Sequence, residues 1–276
     1  MRLDQQRASA NIDDRRGRGG GGRAGVPLTG GVIVVVIIVA AITGENPLTL
    51  LGQLAGSAPV TTSPSTSTPA DDEAAVFVSK VLGSTEETWG RLRPGYREPT
   101  LVLFRDDVQS ACGFQSAASG PFYCPGDRKA YLDLSFFDEL SRRFGAPGDM
   151  AAAYVVAHEV GHHLQNLDGT SRPVHSSGDR AGADSMGVRL ELQADCYAGV
   201  WAHDAQRRGQ LEAGDVDEAL KAAHAIGDDT LQNKARGRVV PDSFTHGSAA
   251  QRARWFKQGF STGDPRQCDT FAARDL

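Results

Sequence analysis

The chain has 276 residues, 40% of them hydrophobic and 23% charged, with a formal net charge of -5. These values exclude a wholly disordered chain and a polytopic membrane protein, and the negative balance leaves no electrostatic footprint for nucleic acid. The length suits one folded domain of about 200 residues plus a non-globular remainder.

Residues 1–25 place Arg15, Arg16, Arg18 and Arg23 among glycines without apolar periodicity and read as a flexible basic tail. From Ala24 to Gly44 no residue is charged, and Val32 to Ile42 are apolar on every face. About 20 such residues span a bilayer, whereas a buried strand lasts only about 5 or 6, so residues 26–44 are expected to form one transmembrane helix. The arginines precede it and no Lys or Arg follows until Lys80. That asymmetry puts the N-terminus in the cytoplasm and the rest of the chain on the outer side of the cytoplasmic membrane. A cleavable signal peptide is the competitor, with only a weak cleavage site at residues 40–44.

Residues 45–72 contain a Ser/Thr/Pro tract that cannot build a core and serve as a linker. The folded domain, 73–276, opens with acids at 71–73 ahead of Ala75, Val76, Val78, Val81 and Leu82, the pattern of a helix N-terminus. Strands are expected at 100–104 and 129–134, with Cys112 and Cys124 bracketing a Gly/Ser-rich excursion between them. Helices follow at 150–166, 184–206 and 216–224. The fold class is α+β, mainly helical with a small sheet.

Within the 150–166 helix stands His158-Glu159-Val160-Gly161-His162. Two histidines four apart project from one helical face and form a clip for a metal. Glu159, roughly 100° further round, can reach a water on that metal without ligating it. Two imidazoles and a carboxylate in an apolar helix are costly to bury without such a partner. Gly161 costs about 1 kcal/mol of helix stability relative to Ala, which points to close packing or to restricted space beside the metal. A catalytic zinc needs a third protein ligand, and Glu191 supplies it from the next helix, 29 residues beyond the second histidine of the clip at His162. Asp195, one turn on, would accept the other ring N–H of a ligating histidine. Cysteine ligation is disfavoured because the four cysteines include no CxxC pair.

The pairing of HExxH with ExxxD resembles the gluzincin metallopeptidases. The longer strings His158 to His163 and Glu191 to Trp201 resemble the YpfJ-like neutral zinc metallopeptidases of bacteria, and so do Gly120 to Pro125, Tyr131-Leu132-Asp133, Ser135-Phe136-Phe137, Thr245 to Ser248 and Gln251-Arg252. The likeness runs from about Val76 to Phe271. It implies a zincin-like fold, one zinc ion, and hydrolysis of a peptide or protein substrate by water activated by zinc and Glu159. His246 is the first candidate for stabilising the tetrahedral intermediate, by similarity to a His-containing segment of related gluzincins, and Tyr197 is the second. In zincins a substrate lies along an edge strand beside the metal, and 129–134 is the strand expected to serve. His163 points elsewhere on its helix, and His175, His203 and His224 read as surface residues.

With the domain outside the cytoplasm, the cysteines become disulfides. Cys112 with Cys124 and Cys196 with Cys268 is the favoured arrangement of the three that four cysteines permit. The competing reading is a non-catalytic zincin-fold envelope protein that binds a protein partner; the intact Glu159 opposes it.

Overall fold

The computed structural model describes residues 1–17, 69–179 and 181–276. The expected membrane helix at 26–44 and most of the linker lie outside them. Among the described residues no helix is long and apolar enough to cross a membrane.

Residues 1–16 are not a solvated tail. They fold with the described residues from 69 onward as one compact unit, and Ile12–Asp14 form strand β1, followed by α1 (Pro69–Leu92), β2 (Thr100–Phe104), β3 (Asp107–Ser110), β4 (Gly113–Ser116), β5 (Phe122–Cys124) and β6 (Lys129–Asp133). The four-stranded sheet has the order β1-β2-β6-β5. β1 runs parallel to β2 with Ile12 opposite Leu101, β2 parallel to β6 with Val102 opposite Tyr131, and β5 antiparallel to β6 with Tyr123 opposite Ala130. Strands β3 and β4 form a separate hairpin. Strand β6 therefore lies inside the sheet with both edges paired, which corrects the expectation that 129–134 is the substrate-facing edge; the free antiparallel edge is β5.

Helix α1 takes in Pro69 to Asp72, the last residues assigned to the linker. The other helices are α2 (Ser135–Arg142), α3 (Asp149–Asp168), α4 (Ser171–Ser177), α5 (Met186–Arg207), α6 (Asp215–Ala225), α7 (Asp228–Arg236) and α8 (Ala249–Thr262). Helix α3 is apolar on nearly all sides and buried from Met150 to Gly161, so its neighbours must surround it. It packs against α5 at Gly161, where a Cβ would stand 2.9 Å from both Cα and the carbonyl oxygen of Ala194. Helices α5 and α8 meet through two glycines: a Cβ on Gly199 would lie 2.1 Å from the Phe256 carbonyl oxygen, and one on Gly259 1.9 Å from that of Cys196. These approaches hold α3, α5 and α8 in one bundle.

Both expected disulfides are formed. Cys112, at the tip of the β3–β4 hairpin, is joined to Cys124 at the end of β5. Cys196 on α5 is joined to Cys268, tying down a C-terminal tail that also receives the Arg189 guanidinium at the carbonyls of Thr270 and Ala273.

Candidate metal centre

Helix α3 is set by its ends and its composition. Asp149 stands in its first turn, Gly169 closes it in the left-handed conformation, and the alanine- and valine-rich run between favours burial. Helix α5 starts at Ser185, whose hydroxyl accepts the Val188 N–H. Where the two cross, the side chains of His158, His162 and Glu191 converge. Glu191 Oε2 lies 3.2 Å from His158 Nε2 and 3.5 Å from His162 Nε2, and one ligand atom from each residue falls within 4.8 Å of the others. Two imidazole nitrogens and a carboxylate oxygen are the donors of a catalytic zinc site, so the residues present fit that ion.

Each imidazole is oriented from behind. His158 Nδ1 donates to Asp195 Oδ1 at 2.8 Å, and His162 Nδ1 donates to Gln165 Oε1 at 2.9 Å. Gln165 is itself fixed, because its amide donates to the Leu190 carbonyl at 2.6 Å. Asp195 has no exposed surface and accepts two further donors besides the imidazole: Tyr154 through its hydroxyl, and Arg252 through Nε at 2.9 Å and Nη2 at 3.0 Å. Arg252 on α8 thus clamps Asp195 with both arms of its guanidinium, a planar fork suited to a carboxylate. In the sequence Arg252 stands out only as part of the Gln251-Arg252 string. Gln165 and Tyr154 carried no signal, although both lie at helical spacing from the histidines, where i, i+3 and i, i+4 contacts are available.

Electrostatics follow from burial and pairing. Burial alone would lower the His158 pKa, but the charge and hydrogen bond of Asp195, with the bond to Glu191, outweigh it and raise it to about 9. Burial would raise Glu191, yet the two histidines hold it well below the ordinary carboxylate range. Asp195 is likewise held low, mainly by Arg252, against the effect of burial. The metal-free site is therefore a charged cluster at neutral pH. Because the folded pKa of His158 exceeds its ordinary 6.5, the protonated imidazole stabilises the metal-free fold below about 6.5, and that contribution is lost as pH rises through about 9. A metal must displace that proton. Zinc affinity is expected to climb as pH rises from about 6.5 toward about 9, with proton release at pH 7 visible as a buffer-dependent heat in titration calorimetry; a buffer-independent heat would contradict it.

Glu159 behaves differently. It is buried, its Oε2 has no hydrogen-bond partner, and burial raises its pKa while the charges of His162 and His158 oppose the shift. A buried carboxylate oxygen without a donor is a group awaiting a ligand or water. His246 stands on the loop before α8, its side chain half-exposed, with Nδ1 2.9 Å from Thr245 Oγ1 and 3.6 Å from Asp228 Oδ1. Asp228 Oδ2 accepts the backbone N–H groups of Thr245, His246 and Gly247 and so fixes the loop. Withdrawal from water pulls the His246 pKa down, and the Asp228 bond and the Glu191 charge outweigh it. Its charge also acts to lower the Glu159 pKa.

Tyr197 is not brought to that cluster: six residues past Glu191 on α5, it packs edge-on against Trp89 of α1. His163 points away from the ligands and fastens the sheet edge to α3, accepting from the Tyr123 hydroxyl at Nδ1 (3.0 Å) and donating from Nε2 to the Arg97 carbonyl (2.6 Å). His203, expected at the surface, is half-buried and donates to the Phe260 carbonyl at 2.7 Å. His224 is exposed, and the side chain of His175 lies outside the described set.

The sequence profile of a family described as "putative neutral zinc metallopeptidase" matches residues 1–271. The uncharacterized protein YpfJ of Escherichia coli K12 is 46% identical over 284 residues, covering 98% of this chain and 99% of its own. The uncharacterized protein Rv2575 of Mycobacterium tuberculosis H37Rv is 48% identical over 204 residues, covering 70% of this chain and 69% of its own. No solved structure matches the chain.

Proposed function

Because this chain belongs to the neutral zinc metallopeptidase family, we propose that it hydrolyses peptide bonds with one zinc ion and with Glu159 as the base. The convergence of His158, His162 and Glu191 beside a buried carboxylate oxygen that finds no partner carries this reading. His158, His162 and Glu191 would hold the ion. Zinc bound there supplies a Lewis acid, lowering the pKa of water to about 7 and polarising a carbonyl.

The remaining work belongs to the chain. Glu159 takes a proton from the attacking water and returns it to the leaving amine. His246 donates a hydrogen bond to the oxygen on which negative charge develops. Asp195, clamped by Tyr154 and Arg252, holds His158 in the tautomer that leaves Nε2 free. An extended peptide adds as a further strand to the free edge of β5, which Tyr123 and Asn166 pin to the metal-bearing helix through the Tyr123 hydroxyl. Two disulfides favour an oxidising compartment, so we place the domain outside the cytoplasm, attached to the membrane through the apolar stretch at 26–44.

The test uses the full chain. Cleavage of unfolded casein is expected to disappear on chelation and to return with stoichiometric zinc. A zinc-loaded protein that cleaves neither casein nor a peptide library would overturn the enzymatic reading in favour of a binding module, and a chain that takes up no zinc would overturn both.

A further inference from the structure

We propose that residues 1–16 and the metal-bearing domain lie in the same compartment, so that the apolar stretch between them does not separate a cytoplasmic tail from an extracytoplasmic enzyme. The first sixteen residues are a strap built into the domain. Their backbone is paired along its length: Arg2 N–H donates to the Gln210 carbonyl at 2.7 Å, Ser9 N–H to Ser79 at 2.9 Å and Arg15 N–H to Leu103 at 2.8 Å, while the Asn11 carbonyl accepts Leu101 N–H at 2.9 Å.

The side chains are equally specific. Leu3, Gln6, Ser9 and Arg16 are buried. Gln6 donates to Glu87 at 2.9 Å and accepts from Gln210 and from Arg208, the last at 3.2 Å. Arg7, Ser9 and Asn11 all donate to the carboxylate of Glu86, whose side chain has no exposed surface. Helix α1 is shaped for the crossing: a Cβ on Gly83 would lie 2.4 Å from the Arg7 carbonyl oxygen. Buried polar groups are matched donor to acceptor only where the chain is meant to sit. A strand cannot pair with a sheet on the far side of a membrane.

The inference stands apart from catalysis and is tested by position alone. In the full chain, Ala8→Cys on the strap and Asp275→Cys near the C-terminus each place one extra thiol at an exposed position, beyond the four cysteines already held in disulfides. Each variant is treated, in intact spheroplasts and after lysis, with a membrane-impermeant maleimide. The expected result is the same pattern for both. Labelling of both in intact spheroplasts also supports the extracytoplasmic placement; labelling of both only after lysis supports the shared compartment while overturning that placement. One thiol labelled before lysis and the other only after it would overturn the inference.

Discussion

Replacing Glu159 with glutamine is expected to lower kcat for casein cleavage by about 10²–10⁴-fold, the scale of a lost general base, while bound zinc stays stoichiometric. The geometry separates the two readouts. Glu159 is not among the three converging donors, so zinc binding does not need its charge, and glutamine keeps the shape that α3 buries. What the substitution removes is the ability to accept a proton. Burial raises the Glu159 pKa, with His162 and His158 opposing, which moves it toward the working pH that suits a base that must also give the proton back. Loss of zinc together with activity would show that Glu159 is a ligand or a structural group, and unchanged cleavage would remove it from the chemistry.

Deleting residues 1–16 is expected to destabilise the domain by several kcal/mol. Three hydrogen bonds converge on Glu86, and bonds to a charged group contribute about 1.5–3 kcal/mol each. The deletion also strips one edge of the sheet and exposes the core under Leu3. Against the usual total of about 5–15 kcal/mol, that loss leaves little margin. Urea unfolding of the deleted and full chains, each with zinc, reads the difference, and a synthetic peptide of residues 1–16 added in trans should restore part of it. Coincident unfolding midpoints would return the strap to the status of a passive tail. A domain cut at Glu73, the boundary that composition suggests, is accordingly short of one strand.

How the sequence conceals the strap is instructive. Ile12, Asp13 and Asp14 contain no alternation of apolar and polar residues, and the partners of Gln6 and Arg7 are 81 and 79 residues distant in the chain. Periodicity cannot report such contacts, because it measures one element against a core and says nothing of polar matching between elements. The metal centre lies at the opposite extreme. Its donors sit at helical spacings on two long helices, and local geometry alone puts His158 with His162 and Glu191 with Asp195 on common faces. The Gly161 penalty likewise foretold the contact with Ala194. What stayed hidden was the support: Arg252 reaches Asp195 across 57 residues, and only the packing of α8 on α5 through Gly199 and Gly259 brings them together. The edge strand was misjudged for a similar reason, since a short, mostly half-buried β5 carries less signal than β6 beside it, which is buried from Ala130 to Asp133.

The bracing of Asp195 and its helix also has an order in time. The ribosome completes His158, His162 and Glu191 well before it reaches Arg252, which clamps Asp195, and Cys268, which staples the helix next to it. A growing chain can therefore carry all three metal donors while the carboxylate behind His158 has Tyr154 as a partner but not yet Arg252. Arg252 and the Cys196–Cys268 disulfide, contributed later, complete the hold on that carboxylate and its helix. The order of synthesis thus leaves the carboxylate behind His158 without its guanidinium clamp until Arg252 has been added.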